Sequence, residues 1–506
     1  MKKYKARLSK FLVVVYVISL FTFMFQTVKA EIAPGITVPP FSSLQSNAKL
    51  PDPFKFLNGT RMTSKEQWAA RREEISALAQ TFEYGIKPAK PQTVTGSFSS
   101  NAITVTCGQN GKSISFKCSI QYPTTGKAPY PAMIGINMNT LNTSEILKLG
   151  VALITFPADE IGQETNASSR GKGKFFDLYG SNYDAGALMA WAWGVDRLID
   201  VLEITPTANI DPKRLGVTGG SRNGKGALCV GAFDERIALT VPQESGNGGA
   251  SGWRTADAQM ASGTEVQTLS EIIGENCWFA KALNQFSGNT NKLPYDHHEV
   301  LALCAPRGLL VIENPDFTWL GNLSCYETST AGHMVYEALN IPDRMGYSSI
   351  GGHGHCQFPA SQQPELTAYI KKFLLGDSTA NTTVFRSDKT YTFNKTKWVD
   401  WTIPSLSGEL TSSTPAPTSS SPTPTPTPTR TPTRTPTYTP IPTPKDIEDI
   451  NGDGAVNMTD IMLQALAFNS VSGSPAYNVK YDLDKNGAIN MSDIMITAAK
   501  FNKTVS

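Results

Sequence analysis

The sequence predicts an α/β protein: a mostly parallel sheet covered by helices on both faces, followed by a linker and a small second domain. Two observations carry the fold class. Short runs at 132–136, 151–156, 215–218 and 309–312 are apolar on both faces and read as doubly buried strands. Helical stretches lie between them, such as 185–204 with Trp191 and Trp193, and this alternation builds a parallel sheet between helical layers. Composition agrees, since 40% of the 506 residues are apolar and 17% are charged, enough for a core and too few for a disordered polyelectrolyte. The formal net charge of +2 gives no global attraction to nucleic acid or to an anionic membrane surface.

Residues 1–30 read as a secretory signal peptide. Lys2, Lys3, Lys5, Arg7 and Lys10 form a basic head, residues 11–25 an apolar run, and Val28-Lys29-Ala30 a small-x-small cleavage site. The rival reading is an uncleaved membrane anchor, but the run is short for a span and no stop-transfer pattern follows. The chain from Glu31 is therefore expected to be secreted and extracellular, with no membrane partner. Of the seven cysteines (107, 118, 229, 277, 304, 325 and 356), Cys107 and Cys118 flank a Gly-Gln-Asn-Gly turn, where a cross-hairpin disulfide is one expectation. The others are expected to include buried free thiols, and no CxxC metal spacing occurs.

Within 31–408, the expected catalytic domain, the chemistry begins at Gly219-Gly220-Ser221-Arg222-Asn223-Gly224-Lys225-Gly226. A strand runs into a small-residue helix through glycines, so Ser221 sits on a nucleophile elbow, although Gly-x-Ser-x-x-Gly is not the usual spacing. A hydroxyl at a helix N-terminus meets amide dipoles that favour a developing oxyanion. Lys225 shares the helical face of Ser221 and can reach the same pocket. The stretch also fits the start of a phosphate loop, but Gly226 stands where magnesium needs Ser or Thr. A Ser nucleophile needs a base and an orienting carboxylate. Of the five histidines, the pair in Gly351-Gly352-His353-Gly354-His355-Cys356 lies on a Gly-rich loop late in the domain. Glu244 follows an apolar strand, and Glu313 or Asp316, after the strand 309–312, is the competing acid. The order Ser, acid, His is that of an α/β-hydrolase.

From Thr411 to Pro444 a Thr/Pro repeat cannot bury a core; the linker, 409–445, is an extended spacer of up to roughly 100 Å. The module 446–506 carries oxygen ligands at Asp449, Asn451, Asp453, Asn457 and Asp460, with Gly454 at the sixth loop position. Asp482, Asp484, Asn486, Asn490 and Asp493, with Gly487, repeat the pattern 33 residues later. Calcium needs six or more hard oxygens about one point, and such loops supply them. Asp replaces the usual Glu at position 12, and one helix follows each loop, at 461–468 and 494–501. Two such half-hands behind a Thr/Pro linker resemble the type I dockerin of cellulosomal enzymes, a small all-α module. The resemblance implies two Ca2+ ions and a cohesin partner on a scaffoldin, contacted through Met458-Thr459 and Met491-Ser492.

The catalytic domain also resembles a known family. Gly220-Ser221-Arg222, Gln243-Glu244-Ser245 through Trp253-Arg254, Glu275-Asn276-Cys277-Trp278 and His355-Cys356-Gln357-Phe358 look like the glucuronoyl esterases of carbohydrate esterase family 15, over about residues 51–371. The resemblance implies a three-layer α/β-hydrolase sandwich with the triad Ser221, Glu244 and His355, and with Arg222 holding the oxyanion. It implies a sugar site of Lys225, Gln267, Glu275 and Trp319, and hydrolysis of esters joining 4-O-methyl-glucuronic acid of glucuronoxylan to lignin alcohols without a catalytic cofactor. Many fungal members carry a Cys before the nucleophile, bridged to the Cys after the His; here Gly220 leaves Cys356 without that partner. Gly252 likewise replaces the Cys expected to bridge Cys325. Other readings are an acetyl xylan esterase or peptidase on the same triad, or a carbohydrate-binding body without catalysis.

Overall fold

The computed structural model describes residues 35–410 and, with short interruptions, 448–504. The expected signal peptide, the expected linker from 411 onward and three residues expected as calcium ligands in the first loop (Asn451, Asp453 and Asn457) lie outside the described residues. The described chain falls into two units, one within 35–410 and one within 448–504.

The larger unit is built on one sheet of ten strands among its described residues. They are β1 Thr93–Ser99, β2 Ala102–Gln109, β3 Lys112–Gln121, β4 Tyr130–Ile136, β5 Ala152–Phe156, β6 Ile210–Gly220, β7 Ile237–Gln243, β8 Gly308–Glu313, β9 Met345–Ser349 and β10 Phe385–Ser387. Their order is β1-β2-β3-β5-β4-β6-β7-β8-β9-β10. β1 to β3 form an antiparallel meander, β3 joins β5 antiparallel, and from β5 onward every pairing is parallel. Each apolar run read as a doubly buried strand lies in this parallel part, and β7, β8 and β9 are buried along their whole length. Such strands need helices on both faces.

The helix expected at 185–204 is α1, Ala187–Ile204, buried from Ala187 to Leu202. A helix buried all round belongs inside the layer rather than on its surface. It packs against α2, Arg222–Phe233, where a side chain at Gly226 would stand 2.6 Å from the Trp191 ring. Gly226 is thus the contact point of two helices, which accounts for a glycine where a phosphate loop would need a hydroxyl. On the same face, α5, Asn322–Ala338, packs by β9 beside α3, Trp253–Ala261, and α4, His297–Ala302, while α6, Gln363–Phe373, covers β7 and β8 on the opposite face. Among the described residues no helix is long and apolar enough to cross a membrane.

The hairpin joining β2 to β3 corrects one expectation. Asn110 and Gly111 both have positive φ, 49° and 76°, which makes a two-residue turn whose twist matches the strands. That turn sets Gln109 opposite Lys112, so Cys107 faces Ile114 and Cys118 faces Ile103. The two thiols are therefore not partners, and all seven cysteines are free, six of them buried.

In the smaller unit the second loop expected to bind calcium leads into α7, Met491–Ala499. The helix begins three residues before the expected 494. Asn490 caps it by accepting the Ser492 amide at 2.8 Å, and Asp493 accepts the Asn490 amide at 2.9 Å. Short pairings, Ala455–Val456 with Lys503–Thr504 and Ser470–Val471 with Ala488–Ile489, add strand to a module expected to be all α.

Protein denatured without reductant should therefore titrate seven thiols per chain with a disulfide-exchange reagent. A Cys107–Cys118 bridge would lower that count by two and contradict the hairpin register.

Candidate active site

β6 ends at Gly220 and α2 begins at Arg222; the residue between them, Ser221, has φ 58° and ψ −127°. That is a region a side-chain-bearing residue occupies only under constraint, at a cost of about 1–3 kcal/mol. The constraint is visible. The Ser221 amide donates to the Gln243 carbonyl on β7 at 3.0 Å, and the Ser221 carbonyl accepts from Gly224 and Lys225 at 2.8 and 3.1 Å. The hydroxyl is left half-buried at the helix N-terminus, where the first amides of α2 have no carbonyl of their own helix to meet.

Glu244 follows β7 with φ 46°, and its amide donates to Ile312 of β8 at 2.6 Å. Its fully buried carboxylate accepts from His355 Nδ1 at 2.7 Å and from the Cys356 amide at 3.0 Å, both on Oε2. Gln243 Nε2 donates to Oε1 at 3.3 Å. Donation from Nδ1 leaves neutral His355 with Nε2 as its basic atom. Nε2 is buried without a hydrogen-bond partner, so no hydrogen bond joins it to Ser221 in this state. The imidazole is flanked by Trp319 and Phe317, with centroids 5.1 and 5.3 Å away.

Three carboxylates were open as the partner of histidine, and the structure brings Glu244 to it. Glu313, at the end of β8, is fully buried and accepts the Ser245 amide at 3.2 Å. Burial first, and the charge of Glu244 second, push its carboxyl up to about 8, so at neutral pH it is mostly uncharged. Asp316 accepts the Gly352 amide at 2.7 Å and thereby holds the backbone of the histidine loop. His353 is tied to the backbone, its Nε2 2.8 Å from the Ile350 carbonyl.

Gln267, Glu275 and Trp319 come together along a cleft of about 510 Å³, lined also by Glu265, Glu271 and Thr318. Gln267 donates to Glu275 at 2.9 Å, and its amide donates to the Trp319 carbonyl at 3.1 Å. Trp319 is 39% exposed, an aromatic wall left open to a ligand. Lys225 is buried instead; Nζ donates to the Ser245 carbonyl at 2.5 Å and lies 5.5 Å from the Trp278 ring centroid. Burial pushes its ammonium down to about 8, against the pull of Glu313 and Glu275. Arg222 is half exposed, its guanidinium 3.6 Å from Glu164. Glu164 escaped the sequence reading, for it lies in an irregular loop without periodicity, 58 residues before Arg222.

Gly220 faces Cys356: a Cβ placed on the glycine would stand 2.7 Å from Sγ and 3.1 Å from Cβ of Cys356. Cys325 is buried beside Glu313, its thiol pushed well up by burial. In the smaller unit, carboxylate oxygens of Asp482, Asp484 and Asp493 lie within 4.8 Å of one another. Three like charges so close fit a hard cation. Asp482 also accepts the Gly487 amide at 3.0 Å. Asp493 accepts the Leu483 amide at 2.7 Å, as Asp460 accepts that of Ile450 at 2.8 Å, the same bond in both halves of the repeat.

Residues 105–340 match the family model for fungal glucuronyl esterases, and residues 447–502 match that for the type I dockerin domain. A 4-O-methyl-glucuronoyl methylesterase of Hypocrea jecorina is 51% identical over 370 residues, covering 73% of this chain and 79% of that one. A Podospora anserina protein of the same name is 50% identical, over 71% and 75% of the two chains. The solved glucuronoyl esterase catalytic domain of Hypocrea jecorina superposes with a TM-score of 0.70 at 50% identity, over 74% of this chain and all of that one. A Sporotrichum thermophile glucuronoyl esterase, solved as a serine-to-alanine variant with methyl 4-O-methyl-β-D-glucopyranuronate, gives a TM-score of 0.68 at 46% identity, over 72% and 97%.

Proposed function

The chain belongs to the glucuronoyl esterases of carbohydrate esterase family 15, and we propose from this that it is a serine carboxylic-ester hydrolase cleaving esters between 4-O-methyl-glucuronic acid of glucuronoxylan and lignin alcohols. The observation that carries the mechanism is the 2.7 Å bond from His355 Nδ1 to the buried Glu244 carboxylate, beside the strained Ser221 elbow. As the hydroxyl attacks the C6 carbonyl, its proton passes to His355 Nε2 and a tetrahedral oxyanion forms. The amides at the start of α2 and the Arg222 guanidinium stabilise that anion, each such donor being worth about 3 kcal/mol. The C6–O bond to the alcohol then breaks, and the alcohol leaves with the proton from Nε2. Water, deprotonated by the same nitrogen, releases the uronic acid and restores Ser221. Glu244 keeps the imidazole in the tautomer that can accept and stabilises the imidazolium. Trp319 packs on the pyranose ring, while Lys225, Gln267 and Glu275 take its hydroxyls and the methoxy side.

The remaining parts serve delivery. Residues 1–30 export the chain, 31–408 form the catalytic domain, 409–445 the spacer, and 446–506 the dockerin that binds a cohesin of a cellulosomal scaffoldin. Two Ca2+ ions hold the dockerin, one through Asp449, Asn451, Asp453, Asn457 and Asp460, the other through Asp482, Asp484, Asn486, Asn490 and Asp493. The clustering of Asp482, Asp484 and Asp493 supports the second set. Calcium supplies charge neutralisation to these loops and takes no part in hydrolysis.

Wild type should release benzyl alcohol from benzyl glucuronate, and Ser221→Ala should lose at least about 10³-fold in kcat. Glu244→Gln should lose about 10²-fold or more and Glu313→Gln less than about tenfold. Acetate release from acetylated xylan without uronate ester cleavage would overturn the substrate. Because the Lys225 ammonium sits at about 8, KM should rise as the pH goes from about 7 to about 9 and the charge is lost. Lys225→Met should flatten that rise. Chelation should abolish cohesin binding with kcat unchanged, and calorimetric refilling should return two ions per chain; Asp482→Ala should leave one.

A further inference from the structure

Glu164 has no part in the chemistry above, yet its surroundings are those of a built site. The side chain is 6% exposed. Oε2 accepts the Trp278 indole N–H at 2.7 Å and Asn276 Nδ2 at 3.2 Å, while Oε1 faces Arg222 Nη1 at 3.6 Å. The face of the same indole carries Lys225 Nζ, 5.5 Å from its centroid. Arg222 and Lys225 are three residues apart in the first turn of α2, where the helix dipole disfavours cations. A long, half-exposed guanidinium samples many rotamers unless a counter-charge selects one, and preorganisation is what makes an oxyanion donor effective. A buried carboxylate is costly unless paired, and here its partners are Arg222 and the ring that supports Lys225.

We propose that Glu164 is a positioning residue for both cations, holding Arg222 by direct ion pairing and Lys225 through Trp278. This rests on the reading that Arg222 acts on the oxyanion and Lys225 on the sugar. Glu164 touches neither substrate nor reacting atoms. The two arms should separate kinetically, because the first serves a charge that exists only in the transition state and the second serves binding.

The test is steady-state hydrolysis of benzyl glucuronate by the full chain and its variants. Glu164→Gln keeps an acceptor for Trp278 but removes the charge; kcat should fall about tenfold with KM within about twofold. In an Arg222→Gln background the same substitution should cost less than about twofold, since the group it acts through is gone. Trp278→Phe, which leaves the Glu164–Arg222 pair intact, should raise KM at least about threefold with kcat nearly unchanged, and tests the second arm should Glu164→Gln not fold. An anchor that merely ties down the 162–164 loop would lower Tm and leave kcat alone. That result, or an equal loss with and without Arg222, overturns the proposal. Failure of the esterase reading shows separately, as Ser221→Ala retaining the wild-type rate.

Discussion

The active centre depends on one buried carboxylate. Glu244 has no access to water, and an ionised carboxyl in that position is tolerable only when its oxygens are satisfied. His355 and the Cys356 amide satisfy them together, so the histidine loop must close on the end of β7 for the charge to be accommodated. Parallel pairing does the rest. Gly220 lies opposite Gln243 in the register of β6 and β7, which puts Ser221 and Glu244 at neighbouring strand ends, where clefts in open α/β sheets form. The Ser221 amide on the Gln243 carbonyl fixes the step between them.

Charge around this centre is divided rather than accumulated. Glu313 lies close enough to Glu244 to feel its field, and burial keeps Glu313 mostly neutral. Of the two carboxyls, Glu244 is the one that hydrogen-bonds His355, while Glu313 accepts the Ser245 amide. On the other side of the elbow two cations share the first turn of α2, one half exposed and one buried, with Glu164 beneath them. Lys225, at about 8, sits near the pH at which its charge becomes conditional.

Much of this was legible in the sequence because it depends on local chemistry. Strands buried on both faces have no polar side to hide, so β4, β5, β6 and β8 stood out as apolar runs. The elbow was readable because glycines must flank a turn that tight, and the His353/His355 pair because few histidines compete; the family resemblance singled out His355. What spacing could not decide was the acid: Glu244, Glu313 and Asp316 all follow apolar strands; the family resemblance pointed to Glu244, and the closure of the loop brings that carboxylate to His355. The Cys107–Cys118 expectation failed because proximity along a hairpin is not registry across it; the Asn110-Gly111 turn sets the pairing. The start of α7 was missed because Asn490 and Asp493, read as calcium ligands, also cap the helix. Glu164 was invisible because nothing in a loop announces which distant residue it will meet.

The contact between Gly220 and Cys356 carries a consequence of its own. The histidine loop is fastened by a carboxylate, by backbone amides and by Asp316, with no sulfur–sulfur bond across that gap. Burial pushes the Cys356 thiol up to about 12, so it stays protonated and unreactive. A reductant finds nothing there to cut and an oxidant little to attack. The chain can thus assemble its histidine loop in an oxygen-free medium, unaided by any disulfide-forming machinery, and keep it when the redox poise around it changes.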